Sequence, residues 1–164
     1  MSGADLVLHP EEYERIREII GRLRTECNAK IVFLVDKNGQ QLAATGELEK
    51  IDTTALASLA AGNVAATDSL ARLLGEKEFS ILFHEGEKDN LHISVVAGKV
   101  ILVVIFDERS SLGLVRLRVR RGSTDLKSVL DVVWTKSAAA PKKKAANGPF
   151  AEITDEDIDR LFSD

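Results

Sequence analysis

A chain of 164 residues with 45% hydrophobic content holds enough apolar side chains for one ordinary core and too few for two, so one compact domain with short appendages is expected. A net charge of −4 argues against a general nucleic-acid binder, and the single cysteine, Cys27, excludes an internal disulfide or a cysteine zinc cluster. The longest apolar run, Val100 to Phe106, is a strand's length rather than a membrane span, and Met1 to Glu12 lacks the basic and hydrophobic regions of a secretory signal, which predicts a cytoplasmic protein.

Residues 1–9 read as an N-terminal extension. Pro10 then opens a helix, where its missing N–H costs nothing, and Glu11, Glu12 and Glu14 suit the positive end of the helix dipole. Tyr13, Ile16, Ile19, Ile20, Leu23 and Cys27 recur at helical spacing, and Asn28 is a stop. Ile31 to Val35 is a buried strand, followed by the turn Asp36-Lys37-Asn38-Gly39 and a weaker returning strand from Gln41 to Thr45. A second helix runs from Asp52 to Leu74, with Asp52, Thr53 and Thr54 as N-cap candidates and Gly75 as its end. Strands are expected at Phe79 to Phe83, Leu91 to Val96 and Val100 to Asp107, with His84 to Asn90 in a loop. Residues 111–121 fit a strand period and a helical one about equally, whereas Leu126, Val129, Leu130 and Val133 are plainly helical.

The charge sits in the last part of the chain. Residues 10–136 form the expected domain. Residues 137–149 carry Lys142, Lys143 and Lys144 among Ala, Pro and Gly, a composition with little to bury and hence a flexible linker. Residues 150–164 carry six acids against Arg160, with Phe150, Ile153, Ile158, Leu161 and Phe162 set among them. Thr154 before Asp155, Glu156 and Asp157 is a strong helix start, but a helix this short does not hold alone in water. Such a segment is either a recognition peptide that folds against a partner or a tail that packs on its own domain.

Catalytic machinery is hard to find. There is no glycine-rich nucleotide fingerprint, Walker lysine loop or nucleophile elbow. The carboxylate pairs Glu49 with Asp52 and Asp107 with Glu108 sit at element ends as caps or solvated charges, and His9, His84 and His92 are too scattered for a metal motif. Cys27 falls on the apolar stripe of the first helix and reads as a packing thiol. No catalytic residue, metal or cofactor is expected.

The second helix is more informative. At ~100° per residue, Leu56, Leu59, Ala60, Asn63, Thr67, Leu70 and Leu74 fall on one face, expected to meet the core. The other face carries Ser58, Ala61, Gly62, Ala65, Asp68, Ser69 and Arg72. A merely solvated face would be filled with Glu, Lys and Gln; small residues permit close approach, and Gly62 even costs about 1 kcal/mol of helix propensity against Ala. This face is expected to accept another surface, either the same helix of a second subunit or a globular partner.

The order of elements, with the segments Asn28 to Gln40, Ile51 to Leu59, Ala61 to Ala66, Phe83 to Gly86, Val103 to Asp107, Ser111 to Arg118 and Pro149 to Phe162, resembles the roadblock/dynein light chain family and, within it, MglB-type GTPase-activating proteins. The extended Ala/Lys linker and Asp68 with Ser69 depart from that pattern. The resemblance implies an α/β fold of the α+β sandwich kind, with a five-stranded antiparallel sheet, the second helix on one face and the first and third on the other. It makes residues 111–121 helical. It also implies a homodimer, joined through second helices and edge strands, that binds an MglA-type small Ras-like GTPase and accelerates hydrolysis by aligning the GTPase's own residues. Nothing singles out Arg72 or Arg109 as an arginine finger. Ser58, Ala61, Gly62, Ala65, Asp68, Ser69 and Arg72 become the GTPase-binding face, Phe150, Ile153, Ile158, Leu161 and Phe162 the anchors of a C-terminal peptide, and a cell pole the implied location. The competing reading is a non-catalytic scaffold or polarity adaptor.

Overall fold

The computed structural model describes residues 8–139, with side-chain surroundings described up to residue 136. The acidic peptide 150–164 lies outside the described residues, as do most of the expected linker and N-terminal extension. In chain order the elements are α1 (Pro10–Cys27), β1 (Ile31–Asp36), β2 (Gln41–Gly46), a short 3-10 turn (Leu48–Lys50), α2 (Thr53–Leu73), β3 (Ile81–Glu85), β4 (Asn90–Val96), β5 (Val100–Phe106) and α3 (Leu112–Ala139). The strands form one five-stranded sheet in the order β2-β1-β5-β4-β3, every neighbouring pair antiparallel.

The sheet divides two cores by the alternation of its side chains. Val32, Leu34, Leu102, Val104 and Phe106 face α1 and α3, where they meet Ile16, Ile20, Leu23, Val115, Leu126 and Leu130. Ile31, Phe33, Val35, Ile101, Val103 and Ile105 face α2. Because both faces are covered, β1 and β5 read as unbroken apolar runs rather than alternating ones. The α+β sandwich with one helix on one face and two on the other is therefore the observed architecture.

α1 begins as its sequence predicts, with Pro10 in the first turn and the Glu12 carboxylate accepting the His9 backbone N–H at 2.9 Å. It ends at Asn28 in the left-handed region (φ 51°), whose side chain donates to the Arg109 carbonyl at 2.8 Å. α1 and α3 approach closely at Gly122, where a methyl group would stand 3.2 Å from a Leu23 Cδ. Lys136 near the far end of α3 donates to buried Glu12 at 3.0 Å.

Two boundaries differ from expectation, and the segment that periodicity left open falls on the helical side that the family resemblance implied. Residues 112–121 are the start of α3, the helical side of the ambiguity, because Val115 and Val119 must reach the core. The strand expected at Phe79 to Phe83 is instead Ile81–Glu85, so His84 lies on a strand and not in a loop. Pairing with β4 sets that register, from Ile81 opposite Ser94 to Glu85 opposite Asn90, and the turn closes between Gly86 and Asp89. α3 also runs to Ala139, into the segment expected as linker, where alanine is the best helix former.

Candidate partner-binding surface

α2 is started by Asp52, whose carboxylate accepts the Ala55 N–H at 3.1 Å, and it lies along the strands that present Ile31, Phe33, Ile101, Val103 and Ile105. These strand side chains already fill most of the space between helix and sheet. The helix residues that meet them are correspondingly small: Ala57, Ala60, Ala61 and Val64. The β1–β2 turn packs against the same helix, since a methyl group on Gly39 would sit 3.3 Å from the Ser58 Cα. Gly39 itself has φ +88°, a conformation that favours glycine.

The faces of α2 are thus rotated from their expected assignment. Of the residues assigned to the core, Ala60 is buried and Leu56, Asn63 and Thr67 are half-buried, but Leu59 (72% exposed), Leu70 (52%) and Leu74 (65%) lie in the open. Of those assigned to the partner surface, Ser58, Gly62, Ala65, Ser69 and Arg72 are exposed, whereas Ala61 (8%) belongs to the core. Asp68 sits at the boundary, 3.8 Å from the Lys37 ammonium. The physical reason is volume: a bulky sheet face requires small helix residues, so the leucines turn outward.

The exposed arc of α2 therefore combines a small strip, Ser58, Gly62, Ala65 and Ser69, with an apolar edge made by Leu59, Ala66, Leu70 and Leu73. Leu73 is 83% exposed. Leu59, Asn63, Ala66, Leu70 and Leu73 follow one another in steps of four and three residues, the spacing of a helix–helix seam. The sequence hides this edge because leucine ordinarily marks the core; the heptad spacing is the signal that reveals it. Contiguous uncovered leucines on one helix are the kind of apolar patch from which contact surfaces are built. Next to them lies β3, one of the two edge strands of the sheet, where Ile81 is half exposed and His84 Nε2 stands 3.4 Å from Asn63 Nδ2.

Arg72 and Arg109 belong to different parts of the fold. Arg72 is on the exposed arc of α2. Arg109, beyond β5, is held by the Asp107 carboxylate at 2.9 and 3.0 Å and lies 3.7 Å from Glu47. That hydrogen bonding keeps the Asp107 carboxyl below its ordinary range and the guanidinium above its own. Cys27 is fully buried, and desolvation, with Glu26 adding to it, pushes its thiol up to about 11, so it is a packing group. Among the described residues no cluster of His, Cys, Asp and Glu is arranged to hold a metal ion, and no helix is long and apolar enough to cross a membrane. The anchors Phe150, Ile153, Ile158, Leu161 and Phe162 lie outside the described residues.

A family model for the Roadblock/LC7 domain matches residues 15–106, more than half of the chain. Among solved structures the chain is similar to Myxococcus xanthus MglB, with 52% identity and a TM-score of 0.74 over 78% of this chain and 96% of that one. It is also similar to the gliding protein MglB of Thermus thermophilus, with 35% identity and a TM-score of 0.74 over 79% and 98% of the two chains. An MglB in a tetrameric arrangement matches with 34% identity and a TM-score of 0.75 over 80% and 98%. No curated protein matches the sequence.

Proposed function

The chain belongs to the roadblock/LC7 family, and from that premise we propose that it is a homodimeric regulator of a small Ras-like, MglA-type GTPase, without an active site of its own. The observation that carries this reading is the exposed arc of α2, in which a small-residue strip lies beside uncovered leucines. The leucine edge with the free β3 edge suits a second copy of the chain, since pairing there covers apolar surface and unmet backbone groups together. The strip Ser58, Gly62, Ala65 and Ser69 then suits the close approach of the GTPase, with Asp68 and Arg72 at its border.

Such a regulator stimulates hydrolysis by holding the GTPase so that the GTPase's own residues are aligned, because phosphoryl transfer depends mainly on positioning and charge stabilisation. The engagement of Arg109 by Asp107 supports positioning over a donated arginine. The acidic C-terminal peptide, anchored by Phe150, Ile153, Ile158, Leu161 and Phe162, modulates nucleotide turnover on the same GTPase. This role places the protein in cell polarity and motility, in the cytoplasm and concentrated at a pole.

The test is single-turnover GTP hydrolysis by the cognate GTPase with and without this protein. Faster hydrolysis is expected. A stable complex with an unchanged rate would leave only the scaffold reading.

A further inference from the structure

On the α1 and α3 side of the sheet, away from α2, the outer strands are not fully covered. Between β4 and α3 lies a cleft of about 480 Å³, lined among others by Ser80, His92, Ser94, Arg116, Arg120 and Ser123, with no carboxylate in its lining. His92 is 0% exposed, yet neither ring nitrogen has a hydrogen-bond partner, and the Oγ of buried Ser94 is likewise unpartnered. Buried polar atoms are nearly always satisfied, so unpaired ones lining one cavity call for a polar occupant. The neighbours of His92 across the sheet, Phe83 and Val104, have only apolar side chains to offer.

The donor inventory indicates what that group is. Arg116 and Arg120, one turn apart on α3, bring guanidiniums that only donate, and the serine hydroxyls each add a donor. Desolvation, reinforced by Arg116, lowers the His92 pKa and keeps the ring neutral, which leaves one N–H to give. The lining is thus rich in donors and lacks an anionic acceptor. Its volume is within the range of small-molecule sites, roughly 300–1,000 Å³, and exceeds what one bare inorganic anion fills.

We propose that the cleft between β4 and α3 binds a small organic oxyanion, a phosphate ester or a carboxylate, with Arg116 and Arg120 on its charge and His92 and Ser94 donating to its oxygens. The site lies on the opposite side of the sheet from α2 and stands or falls separately from GTPase binding, although Ser80 and Ile81 of its lining border the β3 edge assigned above to a second copy.

The test uses the full-length protein, with the imidazole signals of His92 followed by NMR during titration with inorganic phosphate, glycerol 3-phosphate and succinate at constant ionic strength. A saturable shift of the His92 signals, with those of His9 and His84 unmoved, is expected for one of the organic anions and weaker for inorganic phosphate. Which organic anion acts distinguishes the ester from the carboxylate. Arg116 and Arg120 are exposed, so R116Q and R120Q should fold normally and each weaken binding about tenfold, the loss of a charge-assisted hydrogen bond. Three results would overturn the proposal: no saturable shift, a shift that both variants leave intact, or His92 signals that move on deletion of residues 150–164, which would make the chain's own acidic segment the occupant.

Discussion

A methyl group on Gly46 would stand 2.1 Å from the Lys30 carbonyl oxygen and 2.9 Å from the Ile31 Cα, and the residue has φ +120°. Neither the close approach nor the dihedral tolerates a side chain, so Gly46→Ala should lower stability by about 1–3 kcal/mol from backbone strain, with the clash added. Denaturant unfolding reads this directly. Nothing in the sequence marks Gly46 as special, because its constraint comes from a strand paired to it in space. Glu12 makes a prediction about pH. Its carboxyl is held below its ordinary value mainly by the Lys136 hydrogen bond and also by the His9 N–H, against an opposing push from burial. A depressed folded pKa means that the stabilisation is complete above the unfolded value near 4.5 and is lost as pH falls through the lower folded one. Glu12→Gln should therefore reduce stability at neutral pH and flatten its fall below about pH 4.5. A variant whose melting temperature follows the parent's at every pH would remove Glu12 from the acid response.

α2 carries the sharpest contrast between neighbouring positions. Ala65→Arg or Ser69→Arg places a long charged side chain on the exposed strip, so the fold should survive while GTPase binding weakens by about 2–4 kcal/mol if the site is central. Ala61→Arg, on the same small-residue pattern but facing the sheet, should unfold the domain by burying an unpaired charge. Circular dichroism and binding measured together check both; a folded Ala61→Arg protein would contradict the orientation of the helix. The sequence alone made the helix legible, with its Asp52 cap and its end near Gly75, but not its rotation. Two apolar arcs lie on this helix, one of alanines and one of leucines, and hydropathy favours the leucines as core. Only the bulk of Phe33, Ile101 and Ile105 across the gap decides for the alanines. The same dependence on remote partners explains the misplaced third strand, whose ends are set by β4, and the ambiguity of residues 112–121. By contrast β1, β5 and α1 were legible because each carries its own local signal, an unbroken β-branched run or a capped helical period.

For the whole molecule, the uncovered Leu59, Leu70 and Leu73 predict association. Light scattering should give twice the 17.9 kDa chain mass at micromolar concentration, and Leu70→Glu should return it toward one chain; a parent protein that scatters as a single chain would refute this. Deleting residues 150–164 should leave the dimer and its melting temperature intact while weakening GTPase engagement or changing nucleotide turnover. Unchanged affinity with a lowered melting temperature would instead assign the peptide to its own domain. The placement of α3 sets a mechanical condition on that peptide. The last described residue, Ala139, belongs to the helix layer opposite α2, so a segment acting on anything seated at α2 must pass around the rim of the sheet. From Ala139 to Phe150 the chain can span at most about 40 Å when fully extended, whereas five strands spaced about 4.8 Å apart make a sheet roughly 20 Å across. The route also crosses from one helix layer to the other, about 10 Å on each side of the sheet, so it takes up most of that span. Halved, it would be about as long as the sheet is wide, so a chain shortened by half between Ala139 and Phe150 should lose any effect of the peptide at α2 even with the peptide itself unchanged.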